Sequence, residues 1–237
     1  MRVTIALPVL NEELVLNQSV ERLLRFVRES LPEAECTVVI ADNGSTDQTE
    51  EIGRRFADTQ VEVRYLRLAE RGKGRAVFAA WRLVPADVYA FMDIDLSTDL
   101  VSLPELCDTV AETGGMAIGS RFHPDSVVVR SLARRVISQG YRSVLKRSFG
   151  TTVSDAPCGF KAISAAVFTA VVPEVEDQRW FFDTELVLRA EHAGFSVHEI
   201  PVTWRELTTA GRRSRVNVPR LAWEYLKQVR RLKRQLR

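Results

Sequence analysis

Val88-Tyr89-Ala90-Phe91-Met92-Asp93-Ile94-Asp95 is the stretch on which the fold turns. Five apolar residues without alternation read as a strand buried on both faces. The run ends on two carboxylates one residue apart. Working outward, Val3–Leu7 and Thr37–Ala41 are similar short runs, and Val61–Leu66 reads as a third strand. Helical patterns lie between them. Asn11 stands before Glu12 and Glu13, an N-cap followed by first-turn acids. Leu16, Val20, Leu23 and Val27 then recur at helical spacing until Pro32. Asp47 is placed to cap a helix through Phe56, and a third helix spans from near Gly72 to Leu83. This alternation predicts βαβ units: an α/β protein with a mostly parallel sheet flanked by helices, its first half Rossmann-like.

In such sheets ligands bind beyond the carboxyl ends of the strands. Four segments fall there: Pro8 to Glu12, Asp42 to Asp47, Arg71 to Arg75 and Asp93 to Asp99. All are polar, charged or glycine-rich. Asp93 and Asp95 can share one hard cation, Mg²⁺ or Mn²⁺, with phosphate oxygens completing its shell. Asp42 to Asp47, taken alone, reads as a turn with a helix cap. Arg71-Gly72-Lys73-Gly74-Arg75 is either a solvated loop or an anion-binding one, since glycines let backbone N–H groups approach phosphate. No Walker A and no GxGxxG pattern occurs.

The composition, 46% hydrophobic and 27% charged over 237 residues, is that of a soluble globular protein. No uncharged apolar stretch approaches the ~20 residues of a spanning helix. The run Val3 to Leu10 is broken by Pro8 and followed at once by acids, unlike a leader peptide. Cys36, Cys107 and Cys158 form no CxxC pair, which argues against disulfides and zinc and predicts a cytoplasmic location. Charge is divided along the chain. Residues 205–237 hold 11 Lys and Arg against 2 acids, a net +9, and the remaining 204 residues carry −7.

Ser131–Phe149 reads as a basic amphipathic helix, Trp180–Ala193 as another, and Val197–Thr203 as a late strand. From Val218 the apolar residues Leu221, Tyr225, Val229, Leu232 and Leu236 fall on one face of a basic helix. Such helices can lie in a lipid headgroup layer. The expected organisation is a domain over residues 1–216 and a membrane-associating helix over 217–237. No nucleic-acid-binding pattern accompanies the charge.

The segments Ala6 to Glu13, Ala41 to Asp47, Arg71 to Gly74 and Asp93 to Asp95, with Gly119-Ser120-Arg121, resemble in kind and order the family 2 glycosyltransferases of GT-A fold. Asp155-Ala156-Pro157-Cys158-Gly159-Phe160-Lys161, Arg179 to Leu186 and Val202 to Glu206 look like the dolichyl-phosphate β-glucosyltransferase branch, with polyprenyl-phosphate mannose synthases as close kin. The resemblance implies inverting transfer of a hexose from a nucleotide sugar, UDP-glucose first and GDP-mannose next, to a polyprenyl phosphate. It implies a peripheral enzyme on the inner face of the membrane. Pro8, Asn11, Glu12, Asp42, Lys73 and Asp93 would line the nucleotide-sugar pocket. Asp93 and Asp95 would hold the metal. Arg121, Arg134, Ser138 and Arg215 would receive the acceptor phosphate, Arg134 and Ser138 lying on one helical face. Asp155 and Asp183 are the catalytic candidates.

The sequence departs from that pattern in places. Ser97 stands where mannose synthases often carry Gln, Asn43 replaces a common Asp, and Arg213-Ser214-Arg215 replaces Gly-x-Ser-Lys. The chemistry asks for positioning more than for a base. A phosphate monoester has its second pKa near ~6 and is largely dianionic at neutral pH. His123, His192 and His198 are accordingly read as structural or surface residues. Asp155 is open between orienting the acceptor, acting as base and capping a turn. Asp183 and Glu185 cannot share a helix face, so at most one faces the site. Trp180 is open between core and sugar platform, and Cys158 is read as packing. Two rival functions are a transferase acting on a soluble acceptor and a silent nucleotide- or membrane-binding module. A homo-oligomer is left open.

Overall fold

In the computed structural model, which describes residues 1–129, 131–205 and 218–236, Val3 to Val9 are buried without a break. They form β1 (Arg2–Val9), whose parallel neighbours are β2 (Glu35–Asp42) and β4 (Val88–Met92). β3 (Val63–Arg67), β5 (Met116–Ser120), β7 (Phe160–Ser164) and β8 (Val197–Pro201) complete a seven-stranded sheet of order β3-β2-β1-β4-β7-β5-β8. Only β7 runs against its neighbours. β6 (Val127–Val129) and β9 (Thr203–Arg205) pair separately, so the expected late strand breaks at Val202 into two pieces serving two sheets.

The helices are α1 (Leu16–Ser30), α2 (Thr49–Thr59), α3 (Lys73–Leu83), α4 (Leu103–Thr113), α5 (Leu132–Phe149), α6 (Ala165–Val171), α7 (Phe182–His192) and α8 (Val218–Gln235). On one face of the sheet Leu16, Leu23, Phe56, Leu103 and Leu106 belong to one core with Ile5, Leu7 and Ile40. On the other, Phe78, Trp81, Phe182 and Leu186 join Ala6, Val39 and Phe91. Burial on both faces explains why the inner strands show no polar alternation. The second core also takes Leu145 of α5 and Val229 and Leu232 of α8.

Two expectations change. Asn11 does not cap α1. It adopts a left-handed conformation (φ 55°), tolerated by Asn, and the helix begins at Leu16 with no acid in its first turn. α8, expected at a membrane, also packs part of its length on the body. Val229 and Leu232 are buried, and Tyr225 packs against Tyr141 and Phe181, while Trp223 and Leu226 of the same helix stay exposed.

Candidate active site

The loops after β1 and β2 are laced together. Asn11 N–H donates to Ser45 Oγ at 2.9 Å, and Asn11 Oδ1 accepts Thr46 N–H at 2.8 Å. Glu12 N–H donates to Thr49 Oγ1, and Asp47 accepts the N–H groups of Glu13 and Thr49. Asn11 is thus a strut between two loops. Asp42 lies fully buried beneath them. Its Oδ1 accepts Ser45 N–H at 2.8 Å, and its Oδ2 accepts Tyr65 O–H at 2.7 Å and Arg67 Nη1 at 3.2 Å. Burial, with the Asp42 carboxylate beside it, pushes the Tyr65 hydroxyl up. Tyr65 and Arg67 were not legible as site residues. Their signal is the register, which sets Arg67 directly beside Asp42 on the adjacent strand.

The Arg71–Arg75 loop is organised differently from a phosphate cradle. Gly72 N–H donates to Asn43 Oδ1, while Gly74 and Arg75 donate to the carbonyls of Arg179 and Gln178. A Cβ on Gly72 would lie 2.3 Å from Gln178 O, and one on Gly74 would lie 2.6 Å from Phe182 Cβ. The glycines serve close packing against residues 177–182, and the cation the loop delivers is Lys73. Its Nζ sits 2.5 Å from Asp93 Oδ1 and 5.5 Å from the Trp180 ring centroid. Burial pulls Lys73 down, but Asp93 and Asp183 outweigh it and leave it raised.

Asp93, Asp95, Ser97, Arg121, Gly159 and Trp204 line one cleft beyond the end of β4. Asp95 Oδ1 accepts Ser97 N–H at 3.1 Å, so Ser97, which departs from the mannose synthase pattern, shapes the turn. A Cβ on Gly159 would lie 2.2 Å from Asp93 Oδ2, so this glycine makes the room the carboxylate occupies. Two hard oxygen-bearing side chains opening on a cleft suit Mg²⁺ or Mn²⁺. Among the described residues no group of three or more His, Cys, Asp or Glu could hold a metal, so the remaining ligands would be water and diphosphate oxygens.

Across the cleft, Arg121 and Asp155 form a closed pair. Backbone N–H, Nε and Nη2 of Arg121 each donate to the Asp155 carboxylate at 2.8 Å. Burial works against both charges, but each holds the other ionised: Arg121 is raised and Asp155 lowered. Glu199 supports the pair by accepting the N–H groups of Ser154 and Asp155 at 3.0 Å. A carboxylate held below its ordinary range by an arginine is a poor base, which favours the orienting role for Asp155. The Arg121 guanidinium also lies 5.7 Å from the Trp204 ring centroid.

Asp183 is buried behind Lys73, with Lys161 Nζ 3.8 Å from its Oδ2. Its Oδ1 is buried without a hydrogen bond among the described residues. Burial raises Asp183, with Lys161 and Lys73 opposing, and burial lowers Lys161. Lys161 closes the motif that begins at Asp155, and its place beside Asp183 follows from its position in β7. Glu185 faces away and accepts Arg189 Nε and the N–H groups of Glu176 and Asp177. Trp180 is half exposed beside Lys73 and is not core. Cys158 is packing, its buried thiol pushed up to about 11. On α5, Arg134 is exposed and Ser138 Oγ donates to the Arg134 carbonyl at 2.9 Å. One turn further on, Arg142 lies 5.3 Å from the ring of Phe122, the neighbour of Arg121. Pro8 lies in β1, aligned with Ala41 of β2. Arg215 is outside the described residues.

A mostly parallel seven-stranded sheet covered by helices on both faces, with Asp93 and Asp95 just beyond β4, has the GT-A architecture. Residues 4–171 match Glycosyl transferase family 2, and the chain belongs to that family. Glycosyltransferase AglD of Haloferax volcanii is 35% identical over 206 residues, covering 86% of this chain and 33% of that protein. Dolichyl-phosphate beta-glucosyltransferase of Saccharomyces cerevisiae is 27% identical over 190 residues, covering 72% of this chain and 57% of that enzyme. The chain therefore spans a third of one relative and little over half of the other. Glucosyl-3-phosphoglycerate synthase of Mycobacterium tuberculosis, solved with UDP, superposes with TM-score 0.68 at 16% identity, covering 98% of this chain and 80% of that one. Its complex with Mn²⁺, UDP-glucose and phosphoglyceric acid gives 0.67 at 15%, covering 98% and 79%. At this identity the likeness is one of fold.

Proposed function

We propose that the chain transfers glucose from UDP-glucose to a polyprenyl phosphate by one displacement with inversion at the anomeric carbon. The observation that carries this reading is the gathering of Asp93 and Asp95 with Arg121 in the lining of one cleft. The relatives' acceptor, dolichyl phosphate, supplies the substrate class. Asp42 and the loops that Asn11 and Glu12 brace would seat the nucleotide. Asp93 and Asp95 would hold Mg²⁺ or Mn²⁺, which supplies neutralisation of the charge developing on the leaving diphosphate. Lys73 adds a fixed cation at the same place. Arg121, oriented by Asp155, presents positive charge to the acceptor phosphate, with Arg134 and Ser138 on α5 as further contacts. A dianionic phosphate needs alignment more than deprotonation, so no step requires a histidine.

We extend the membrane reading from α8 to α5. Val127 and Val129 on β6 and Leu132, Val136 and Ile137 on α5 are each more than half exposed, and Arg134 and Arg135 lie among them. An apolar patch interleaved with arginines suits an anionic headgroup layer. No helix of the described residues is long and apolar enough to cross a membrane. A panel of radiolabelled nucleotide sugars tests the function. Incubated with Mn²⁺ and either polyprenyl phosphate or soluble phosphate esters, it should give organic-extractable label from UDP-glucose. Label appearing only in soluble esters would favour the soluble-acceptor reading. Failure of UDP to bind with Mn²⁺ would favour the silent module.

A further inference from the structure

α8 ends far from Asp93 in sequence, yet its contacts lead there. Arg231 of α8 pairs with Glu176 and with the fully buried Glu185. Glu185 in turn accepts the N–H groups of Glu176 and Asp177 at 3.1 and 3.0 Å. Gln235 Nε2 donates to Glu176 Oε1 at 2.7 Å, and Tyr225 O–H donates to the Trp180 carbonyl at 2.9 Å. Both ends of the strap Glu176–Phe181 are thus tied to α8. The strap's own carbonyls, those of Gln178 and Arg179, accept Arg75 and Gly74 N–H at 3.1 Å. Those amides directly follow Lys73 at the start of α3, and Lys73 Nζ meets Asp93. Gly72 lets the strap approach so closely that a Cβ there would collide with Gln178 O, and a Cβ on Gly74 would collide with Phe182, the residue that follows the strap.

We propose that Arg231 and Tyr225 are positioning residues for the donor site. They latch the strap Glu176–Phe181 onto the Gly72–Arg75 loop, and the latch fixes Lys73 against Asp93 and Trp180 beside it. This rests on the reading of Asp93 and Lys73 as the diphosphate site. It assigns α8 a task inside the enzyme. Removing α8 then loosens the donor pocket, an effect that a helix serving only to hold a membrane would not produce.

Hydrogen exchange and UDP binding on the full chain test the latch. In Arg231→Gln, amides of residues 72–76 and 176–181 should exchange faster by about tenfold, the scale of a lost hydrogen bond to a charged group. Amides of β1 and β4 should keep their wild-type protection, which separates the effect from general destabilisation. Affinity for UDP with Mn²⁺, by calorimetry, should fall by a similar factor, and Arg231→Lys should recover part of it. Tyr225→Phe, which removes one hydroxyl, should give the same pattern more weakly and serves if Arg231→Gln does not fold. Wild-type exchange in the strap and loop of both variants overturns the latch. Faster exchange with unchanged UDP affinity overturns its link to the donor site. If UDP binds no form of the protein, the donor-site reading fails and the link to it falls, while the exchange result still decides whether the latch exists.

Discussion

Gly159 has no side chain, and the Asp93 carboxylate occupies the space where one would stand. Gly159→Ala is therefore expected to displace Asp93 and abolish Mn²⁺-dependent UDP binding while far-ultraviolet circular dichroism stays unchanged; wild-type binding would show that Asp93 is not needed where it sits. Asp95→Asn should lower turnover by ~10²–10³-fold, the range for removing a key electrostatic group, with the fold intact. A folded variant keeping more than about a tenth of the rate would remove the metal assignment drawn from that range. Asp155→Asn is a stability experiment. It leaves Arg121 buried without its counter-charge, a loss of ~3–5 kcal/mol for a broken buried pair. Because the pair holds Asp155 below its ordinary pKa, this contribution is complete above the unfolded value of ~3.9 and is lost as pH falls through the lower folded one. Urea unfolding should show a wide gap between wild type and variant at pH 7 and a narrower gap at pH 3. Equal gaps at the two pH values would contradict the pairing.

At the scale of elements, the strands were the most legible part of the sequence. Val88–Met92 is predicted and found with the same bounds, because an apolar run that stops on charged residues fixes both its ends. The helix after β1 was misplaced because Asn11 and Glu12 are used between loops, where Ser45 and, at the start of α2, Thr49 accept their N–H groups. The burial of Lys161 and Glu185 was hidden for a related reason: periodicity reports apolar faces, and both are charged side chains inside the protein. α5 and α8 show the limit most plainly. Both read as basic amphipathic helices, and only packing distinguishes them. Val229 and Leu232 of α8 are buried, whereas Leu132 and Val136 of α5 face outward. Leu132→Glu combined with Val136→Glu should abolish co-sedimentation with anionic vesicles. Stability should change by no more than ~0.5 kcal/mol per exposed site, and UDP binding should be retained. Undiminished pelleting would take the α5 face out of the membrane reading.

Over the whole molecule, the sheet collects Asp42, Asp93 and Asp95 at one edge, and the chain after β5 brings Arg121, Trp180 and Trp204 to face them. The division of charge, −7 over most of the chain and +9 at its end, was legible. Its meaning was not, because Arg231 spends its charge on Glu176 and buried Glu185. The central claim is that one cleft holds both substrates, so that the acceptor phosphate displaces the nucleotide directly. The most direct measurement is the anomeric configuration of the product formed from UDP-glucose, in which the sugar is α-linked, and polyprenyl phosphate with Mn²⁺. After organic extraction, proton NMR should show a β-glucosyl lipid phosphate. An α-linked product, or no sugar in the organic phase, would contradict it.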